Sequence, residues 1–262
     1  MSLIGCLKKL NEPEEYLNKL VSPEEAVSHI CSNSHIVFSI GPAEPYALIE
    51  SLYRRKKDLS EVTLHHNLPM RPYSYLTHDC SPHFRVNIVF NSQHSRQGVN
   101  EGRCNYTPNH FHELPVFLSE FVQPDVFMAT VSPMDDEGYF SFGAAVGYNY
   151  EVMEKARLII VEENKYMPYT YGRSRLHISE VDYVVKNNCF LPEVAFGSST
   201  PEAEVIGQLV AEQIPDGATI QLGIGDIPNS VAKHLRQKND LGIHSEMISD
   251  NVIELIEKGV IN

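Results

Sequence analysis

The chain has 262 residues, of which 42% are hydrophobic and 21% are charged, a composition typical of a globular protein with one large or two smaller cores. It contains 21 basic and 34 acidic residues, so its formal net charge is -13. A surface with this charge repels nucleic acid and anionic lipid, and both are disfavoured as general partners.

The first two thirds of the chain alternate short apolar strands with amphipathic helices. Ser22-Pro23-Glu24-Glu25 predicts a helix start, because it supplies a cap, a first-turn proline and an acidic capping partner. Strands are predicted at residues 35–40, 62–64, 86–90, 126–131 and 158–161, where β-branched residues are frequent. Helices are predicted at residues 44–57, 114–122 and 150–156. This alternation predicts an α/β fold with a mainly parallel sheet.

A domain boundary is predicted at residues 190–199, where proline, glycine and serine interrupt the pattern. We therefore assign residues 1–195 to an N-terminal domain and residues 199–262 to the start of a C-terminal one. The second stretch predicts helices at residues 200–213, 227–236 and 251–258, and strands at residues 218–222 and 241–244. About 60 residues are too few for a closed α/β domain, so this second domain is expected to be incomplete.

The cysteines form no CxxC pair; they are Cys6, Cys31, Cys80, Cys104 and Cys189. This odd, unpatterned set is typical of reduced thiols in a cytoplasmic protein, and not of a disulfide framework or a zinc site. No apolar run reaches membrane-spanning length, and the N-terminus has no signal-peptide core. The sequence therefore predicts a cytoplasmic protein.

The clearest candidate site follows two predicted strands of the second domain. Ligands of open α/β sheets gather beyond the carboxyl ends of strands, which here carry Gly223-Ile224-Gly225 and Ser245-Glu246. The glycines let backbone approach a ligand closely, and free amides at the next helix start can hold an anion. A Glu246 carboxylate beside such amides would pair a nucleophile with an oxyanion hole, as acyl transfer requires.

Other interpretations of these residues stay open. The glycine turn could be a packing turn or half of a dinucleotide fingerprint, but Pro228 stands where the third glycine is needed. Glu246 could be a solvated turn residue. Cys104 beside Arg103 could be an activated thiolate, although a buried inert cysteine is the commoner case.

No metal site is predicted from the twelve histidines. The pairs His65-His66 and His110 with His112 lack companion ligands at a recognised spacing. The chain also has no GxSxG elbow, no P-loop and no HExxH motif, which disfavours the enzyme classes that depend on them.

Several segments match one protein family in the same order along the chain. The longest are residues 220–231, IQLGIGDIPNSV, and residues 241–247, LGIHSEM. Further matches are residues 99–103 with Tyr106 and Pro108, residues 132–143, and Glu162, Asn164, Met167-Pro168 and Gly172. Together they resemble the acetyl-CoA hydrolase/transferase family, and among its members the 4-hydroxybutyrate and butyrate–acetate CoA-transferases.

This resemblance implies two related α/β domains with the active site between them. It implies that Glu246 is the catalytic glutamate, and that the turn Gly223-Ile224-Gly225 binds coenzyme A and the oxyanion, with the Ile224 amide as donor. Asn100, Gly102 and Arg103, in the matched run 99–103, are candidate substrate-binding residues. Members of the family carry a second glycine-rich loop later in the C-terminal domain, and this sequence ends before it.

The implied activity is a ping-pong transfer of CoA from an acyl-CoA to a small carboxylate through a glutamyl-CoA thioester. Coenzyme A and acyl-CoA would then be substrates, with no tightly bound cofactor and no metal. The protein is expected to be a homo-oligomer, with a homodimer as the simplest form. One alternative is acyl-CoA hydrolysis at the same site, and another is an inactive fragment or subunit that needs the missing C-terminal part.

Overall fold

The computed structural model describes residues 13–194 and 199–262. Its packing separates two units, Met1–Glu193 and Val194–Asn262, which we call unit 1 and unit 2. Each unit has its own apolar core.

Four of the five cysteines lie in the described part of the chain. The four cysteines in these ranges are free, namely Cys31, Cys80, Cys104 and Cys189. Cys6 lies outside the described residues, as do residues 195–198 of the predicted boundary. No helix in the described ranges is long and apolar enough to cross a membrane.

Unit 1 alternates strands and helices along its length. Its strands are β1 (His35–Phe38), β2 (Val62–His66), β3 (Phe84–Ile88), β4 (Cys104–Tyr106), β5 (Val126–Val131), β6 (Tyr139–Ser141), β7 (Leu158–Glu163), β8 (Arg175–His177) and β9 (Tyr183–Lys186). Its helices are α1 (Glu14–Lys19), α2 (Pro23–Ser28), α3 (Tyr46–Arg54), α4 (Ser74–Thr77), α5 (Arg96–Asn100), α6 (Leu114–Val116) and α7 (Asn149–Met153). A π-helical segment, Phe117–Val122, continues α6.

Seven of these strands form one parallel sheet in the order β4-β3-β2-β1-β5-β7-β9. The chain moves outward from β1 to β4 and then crosses to β5, so the topological switch point lies between β1 and β5. Side chains alternate between two cores, because Ile36 and Phe38 enter one and Val37 enters the other. This is the mainly parallel α/β fold that the sequence predicts.

The buried strands and the capped helices agree best with the prediction. β5 occupies the predicted residues 126–131, and all of its residues are buried. At the start of α2, the Ser22 hydroxyl accepts the N–H of Glu25 at 3.1 Å, as the capping pattern requires. The helix predicted at residues 44–57 is shorter in the structure, because Glu44 precedes a proline and is held in an extended conformation.

Four strands of unit 1, namely β4, β6, β8 and β9, were not predicted, and each has only three or four residues. β4 is three residues long and two of them are exposed, so it carries no alternating apolar pattern. β6 and β8 pair antiparallel, with Tyr139 opposite His177, although about 35 residues separate them in the chain. Pairing of this kind depends on tertiary packing, which a local sequence pattern does not record.

Unit 2 contains α8 (Pro201–Gln213), β10 (Thr219–Ile220), α9 (Asp226–His234), β11 (Gly242–Ile243) and α10 (Asp250–Glu257). The predicted start of α8 is confirmed, because the Thr200 hydroxyl accepts the N–H of Ala203 at 3.2 Å. β10 and β11 pair in parallel, and they are shorter than predicted. The unit's apolar core includes Leu222, Val231, Leu235, Leu241 and Leu255.

Helices α8 and α9 approach most closely at Gly207. A β-carbon added there would lie 2.3 Å from the Ser230 hydroxyl oxygen and 2.8 Å from the Ser230 carbonyl carbon. Ser230 is fully buried, and its hydroxyl donates to Glu204 at 3.1 Å. The absence of a side chain at Gly207 therefore sets the distance between these two helices.

We expect Gly207→Ala to destabilise unit 2, although the same change normally favours a helix by about 1 kcal/mol. Overpacking against the Ser230 backbone destabilises the folded state by about 1–3 kcal/mol, which outweighs the gain in helix propensity. Urea denaturation followed by circular dichroism measures the change, with Gln208→Ala at an exposed position of α8 as the control. Equal stability of the two variants would contradict the close packing.

Candidate active site

The predicted site residues of unit 2 lie beyond the carboxyl ends of β10 and β11. Thr219 pairs with Gly242 and Ile220 with Ile243, so the two strands end side by side. One more ladder bond follows, in which His244 N–H donates to the Ile220 carbonyl at 2.9 Å. The loop that carries Glu246 therefore leaves the sheet beside the loop that carries the glycine turn.

Ser245 joins these two loops directly. Its hydroxyl donates to the Leu222 carbonyl at 2.8 Å and accepts the Leu222 N–H at 3.3 Å. Leu222 immediately precedes Gly223, and Ser245 immediately precedes Glu246, so one side chain fixes the register of both candidate motifs. Sequence reasoning named Ser245 only as part of the strand end, because a serine in a loop gives no signal of such a bridge.

The glycine turn leads directly into helix α9. Gly225 has φ 119° and ψ 179°, a combination that residues with a β-carbon rarely adopt. Gly225 occupies the N-cap position, and no side chain caps this helix start. A second contact holds the start of α10 nearby, because Asn251 Nδ2 donates to Asn229 Oδ1 at 3.0 Å.

The backbone amides of this turn are available to a ligand. Within residues 199–262, the N–H groups of Ile224 and Gly225 donate to no protein acceptor. The positive end of the α9 dipole lies at the same point, which favours a negative charge there. Glu246 is solvent-exposed, so its carboxylate is accessible to a ligand on this side of unit 2.

Of the candidate substrate-binding residues, Asn100 ends helix α5, and Gly102 and Arg103 lie in the turn between α5 and β4 of unit 1. Arg103 donates from Nε and Nη2 to Glu101 at 2.9 and 2.6 Å, and from Nη1 to the Leu76 carbonyl at 2.5 Å. Its guanidinium therefore anchors this turn to the α4 region, while the Asn100 side chain is exposed.

The alternative sites considered from the sequence receive little support. Burial raises the pKa of the Cys104 thiol, although the neighbouring Arg103 acts in the opposite direction, so this cysteine is not an activated thiolate. Burial, followed by the nearby His35, lowers the pKa of His65 to about 3. Among the described residues, no group of three or more His, Cys, Asp or Glu side chains could hold a metal ion.

Glu162 is a fully buried carboxylate that sequence reasoning left without a role. Its Oε2 atom accepts the N–H groups of Ala47 and Leu48 at 2.8 and 3.1 Å, and so caps the start of α3. Its Oε1 atom accepts from Asn187 Nδ2 at 2.6 Å. Burial is the main influence and raises the pKa of Glu162 to about 7, against the opposing effect of these donors.

Protonation of Glu162 should make the stability of unit 1 depend on pH. The folded pKa of about 7 exceeds the ordinary value of 4.5, so the folded state binds this proton more tightly than the unfolded state. The contribution to stability is complete below about pH 4.5 and is lost as the pH rises through about 7.

We expect Glu162→Gln to flatten this part of the stability profile, because glutamine imitates the protonated acid. Urea midpoints of the variant and the wild type, measured from pH 5 to pH 8, test this, with the exposed Glu154→Gln as the control. Parallel profiles for Glu162→Gln and the wild type would contradict the assignment.

A second buried network lies in the loops after β1 and β2. Glu44 Oε2 meets His66 Nε2 at 3.1 Å and accepts the Met70 N–H at 3.1 Å. The other ring nitrogen of His66 meets the hydroxyl of Tyr75. All three side chains are buried. The sequence signal at Glu44 is an acidic residue between a short turn, Gly41–Ala43, and a proline.

Comparison with known proteins gives three findings. Residues 5–195 match the model of the acetyl-CoA hydrolase/transferase N-terminal domain. The chain is 42% identical over 250 residues to the 4-hydroxybutyrate coenzyme A transferase of Clostridium kluyveri, covering 95% of this chain and 58% of that protein. It is 38% identical over 254 residues to the succinyl-CoA:cyclohexane-1-carboxylate CoA transferase of Geobacter metallireducens, covering 97% of this chain and 58% of that protein.

A solved structure is similar over the same extent. The crystal structure of RipA from Yersinia pestis superimposes with a TM-score of 0.88 at 36% identity, covering 94% of this chain and 60% of that chain. The chain thus spans about three fifths of the length of each of the three proteins named above.

Proposed function

Because the chain belongs to the acetyl-CoA hydrolase/transferase family, we propose that it carries the nucleophile of a CoA-transferase, the carboxylate of Glu246. The observation that carries the proposal is the Ser245 bridge, which fixes the Glu246 loop beside the glycine turn. An accessible carboxylate and unpaired amides on neighbouring loops form the pair of groups that acyl transfer to a carboxylate needs.

The first half of the proposed reaction moves CoA onto the protein. An oxygen of Glu246 attacks the thioester carbonyl of acyl-CoA, and the carbon–sulfur bond breaks, giving an acyl-glutamyl anhydride and CoA thiolate. The thiolate then attacks the glutamyl carbonyl and displaces the acyl group as a free carboxylate. The product is a glutamyl-CoA thioester. No proton is gained or lost, and an ordinary glutamate is already ionised near pH 7, so the carboxylate needs no general base.

The second half repeats these steps with a new carboxylate. It attacks the glutamyl thioester, releasing the thiolate and forming a second anhydride. The thiolate then attacks the incoming acyl carbonyl, which gives the new acyl-CoA and restores Glu246. Each attack passes through a tetrahedral oxyanion. We assign its stabilisation to the turn Gly223-Ile224-Gly225, with the Ile224 N–H as the main donor, and one such donor contributes about 3 kcal/mol.

We propose acyl-CoA and short carboxylates of the acetate, butyrate or 4-hydroxybutyrate type as substrates. The two relatives named above are CoA-transferases, which favours transfer to a carboxylate over hydrolysis. We also propose that the protein forms a homodimer in the cytoplasm. The substrate would contact Asn100, at the end of α5, and the following turn with Gly102 and Arg103. Because Arg103 is held by Glu101 and Leu76, its contribution would be to shape that turn.

Chemical trapping tests the proposed nucleophile. Protein containing these 262 residues is incubated with acyl-CoA and then treated with borohydride, which reduces a glutamyl thioester to an alcohol and releases CoA. A peptide map should show the reduced side chain at Glu246, and excess acceptor carboxylate added before borohydride should remove the mark. Reduction at another residue, with Glu246 intact, would refute the assignment.

A further inference from the structure

The loop that carries Glu246 has no support of its own. Residues 246–249 join β11 to α10 without forming a helix or strand, and the side chains of Glu246, Met247 and Ile248 are exposed. Within the part of the chain that the structure describes, the backbone N–H groups and side chains of residues 246–248 make no hydrogen bond to the protein. The position of Glu246 therefore depends on how the two ends of this loop are held.

Ser245 holds the first end by taking the place of backbone groups. The last bond of the parallel ladder runs from the His244 N–H to the Ile220 carbonyl at 2.9 Å. The next bond would join the Glu246 N–H to the Leu222 carbonyl. That carbonyl instead accepts the Ser245 hydroxyl at 2.8 Å, and the same hydroxyl accepts the Leu222 N–H at 3.3 Å. Leu222 is buried, so its two polar groups need these partners, and the Glu246 backbone is released from the sheet.

Asn251 holds the other end of the loop, at the start of α10. Its Nδ2 atom donates to Asn229 Oδ1 at 3.0 Å, and both residues are partly buried. The Asn229 N–H in turn donates to the Gly225 carbonyl at 3.0 Å. The contact of Asn251 therefore reaches the glycine turn through one intervening residue, just as that of Ser245 reaches it through Leu222.

We propose that Ser245 and Asn251 are positioning residues, which hold the Glu246 loop beside the glycine turn from both ends. Neither side chain forms or breaks a covalent bond in this role. The effect on catalysis rests on the proposed function of Glu246, because a nucleophile misplaced by about 1 Å reacts about 10²-fold more slowly. The order of the loop itself depends only on the two contacts.

Cleavage of the folded 262-residue chain by a glutamate-specific protease tests the order of the loop without turnover. Ser245→Ala should accelerate the cut after Glu246 at least about tenfold, because opening the loop no longer breaks two hydrogen bonds to Leu222. Asn251→Ala removes one hydrogen bond and should accelerate this cut about threefold. The cut after Glu257, at the end of α10, is the control cut and should keep its rate. If Ser245→Ala unfolds unit 2, both cuts accelerate equally, and Asn251→Ala alone decides the result.

The rate of CoA exchange shows whether the held position matters for catalysis. Ser245→Ala should lower kcat at least about tenfold with little change in the KM for acyl-CoA, because the carboxylate is misplaced while the groups that bind substrate remain. Ser245→Thr keeps a hydroxyl and should recover most of the rate. Asn229→Ala and Asn251→Ala should each lower kcat about threefold, and the double variant no further, since both remove the same contact. If Glu246→Gln retains exchange, the proposed nucleophile fails, but the cleavage rates still decide whether the loop is held.

Ser249→Ala is the matched control in the same loop. The Ser249 hydroxyl oxygen is buried and has no hydrogen-bond partner among the described residues, so cleavage and exchange should both keep the wild-type rates. The proposal is overturned if neither Ser245→Ala nor Asn251→Ala accelerates the cut after Glu246 more than the control cut. It is also overturned if both variants keep the wild-type kcat although Glu246→Gln loses exchange.

Discussion

Glu246→Gln is expected to lower CoA exchange by about 10³-fold or more, because the amide cannot act as the nucleophile that forms the anhydride. Glu246→Asp should retain the charge but withdraw it by one methylene group, and a misplacement of this size costs about 10²-fold. The measurement is the rate of CoA transfer between an acyl-CoA and a labelled carboxylate, in protein that carries these 262 residues.

The matched control is Glu257→Gln in the same unit. Glu257 is exposed and ends helix α10, so the same loss of charge there should leave exchange unchanged. Both variants should unfold at the wild-type urea concentration, since both side chains are exposed. Wild-type exchange by Glu246→Gln would show that another group is the nucleophile, and that Glu246 is the solvated turn residue considered at the outset.

Gly225→Ala is expected to lower exchange by about 10²-fold, the effect of losing one well-placed oxyanion donor. Gly225 has φ 119° and ψ 179°, and a β-carbon makes this conformation unfavourable by about 1–3 kcal/mol. The strain does not arise from crowding, because no described residue apart from the chain neighbours of Gly225 and the backbone of its own helix has a heavy atom within 4 Å of the added carbon. The backbone should therefore relax, and the neighbouring amides should turn away from the position of the oxyanion.

Gly217→Ala is the control variant that separates the effect of backbone strain on stability from an effect on catalysis. Gly217 also has a positive φ, 77°, and open space around an added β-carbon, but it lies in the turn that precedes β10. The Gly217→Ala variant should lose about as much stability as Gly225→Ala, while its rate of CoA exchange per folded molecule stays at the wild-type value. Equal losses of exchange in the two variants would favour the interpretation of residues 223–225 as a packing turn.

The sequence predicts those parts of the fold whose signals are local. The strand at residues 126–131 is a run of buried apolar residues, and the helix Pro201–Gln213 follows a threonine cap and a first-turn proline, so both have the predicted bounds. The antiparallel pair β6 and β8 was missed, because three-residue strands that pair across a long loop leave no local pattern. Helix α3 begins later than predicted because Pro45 excludes the preceding residue from the helix.

The sequence also predicts one part of the candidate site and misses another. Consecutive parallel strands bring their following loops together, so the proximity of the Glu246 loop and the glycine turn follows from strand order alone. The Ser245 bridge could not be predicted, since a serine hydroxyl in a loop has many local partners available. Glu44 and Glu162 were passed over because a single acidic residue carries no periodic signal, and their burial depends on tertiary packing.

The cap that Glu162 places on helix α3 has a consequence for the order of events during synthesis. The Ala47 N–H and the carboxylate that accepts it are 115 residues apart in the chain. At translation rates of about 5–20 residues per second, the start of α3 waits roughly 6 to 23 s before its capping residue has been made. During this interval, β1 to β4 can assemble beside a helix whose first amides are still hydrated. The arrival of β7 then closes that helix start and extends the sheet beyond β5 in the same step.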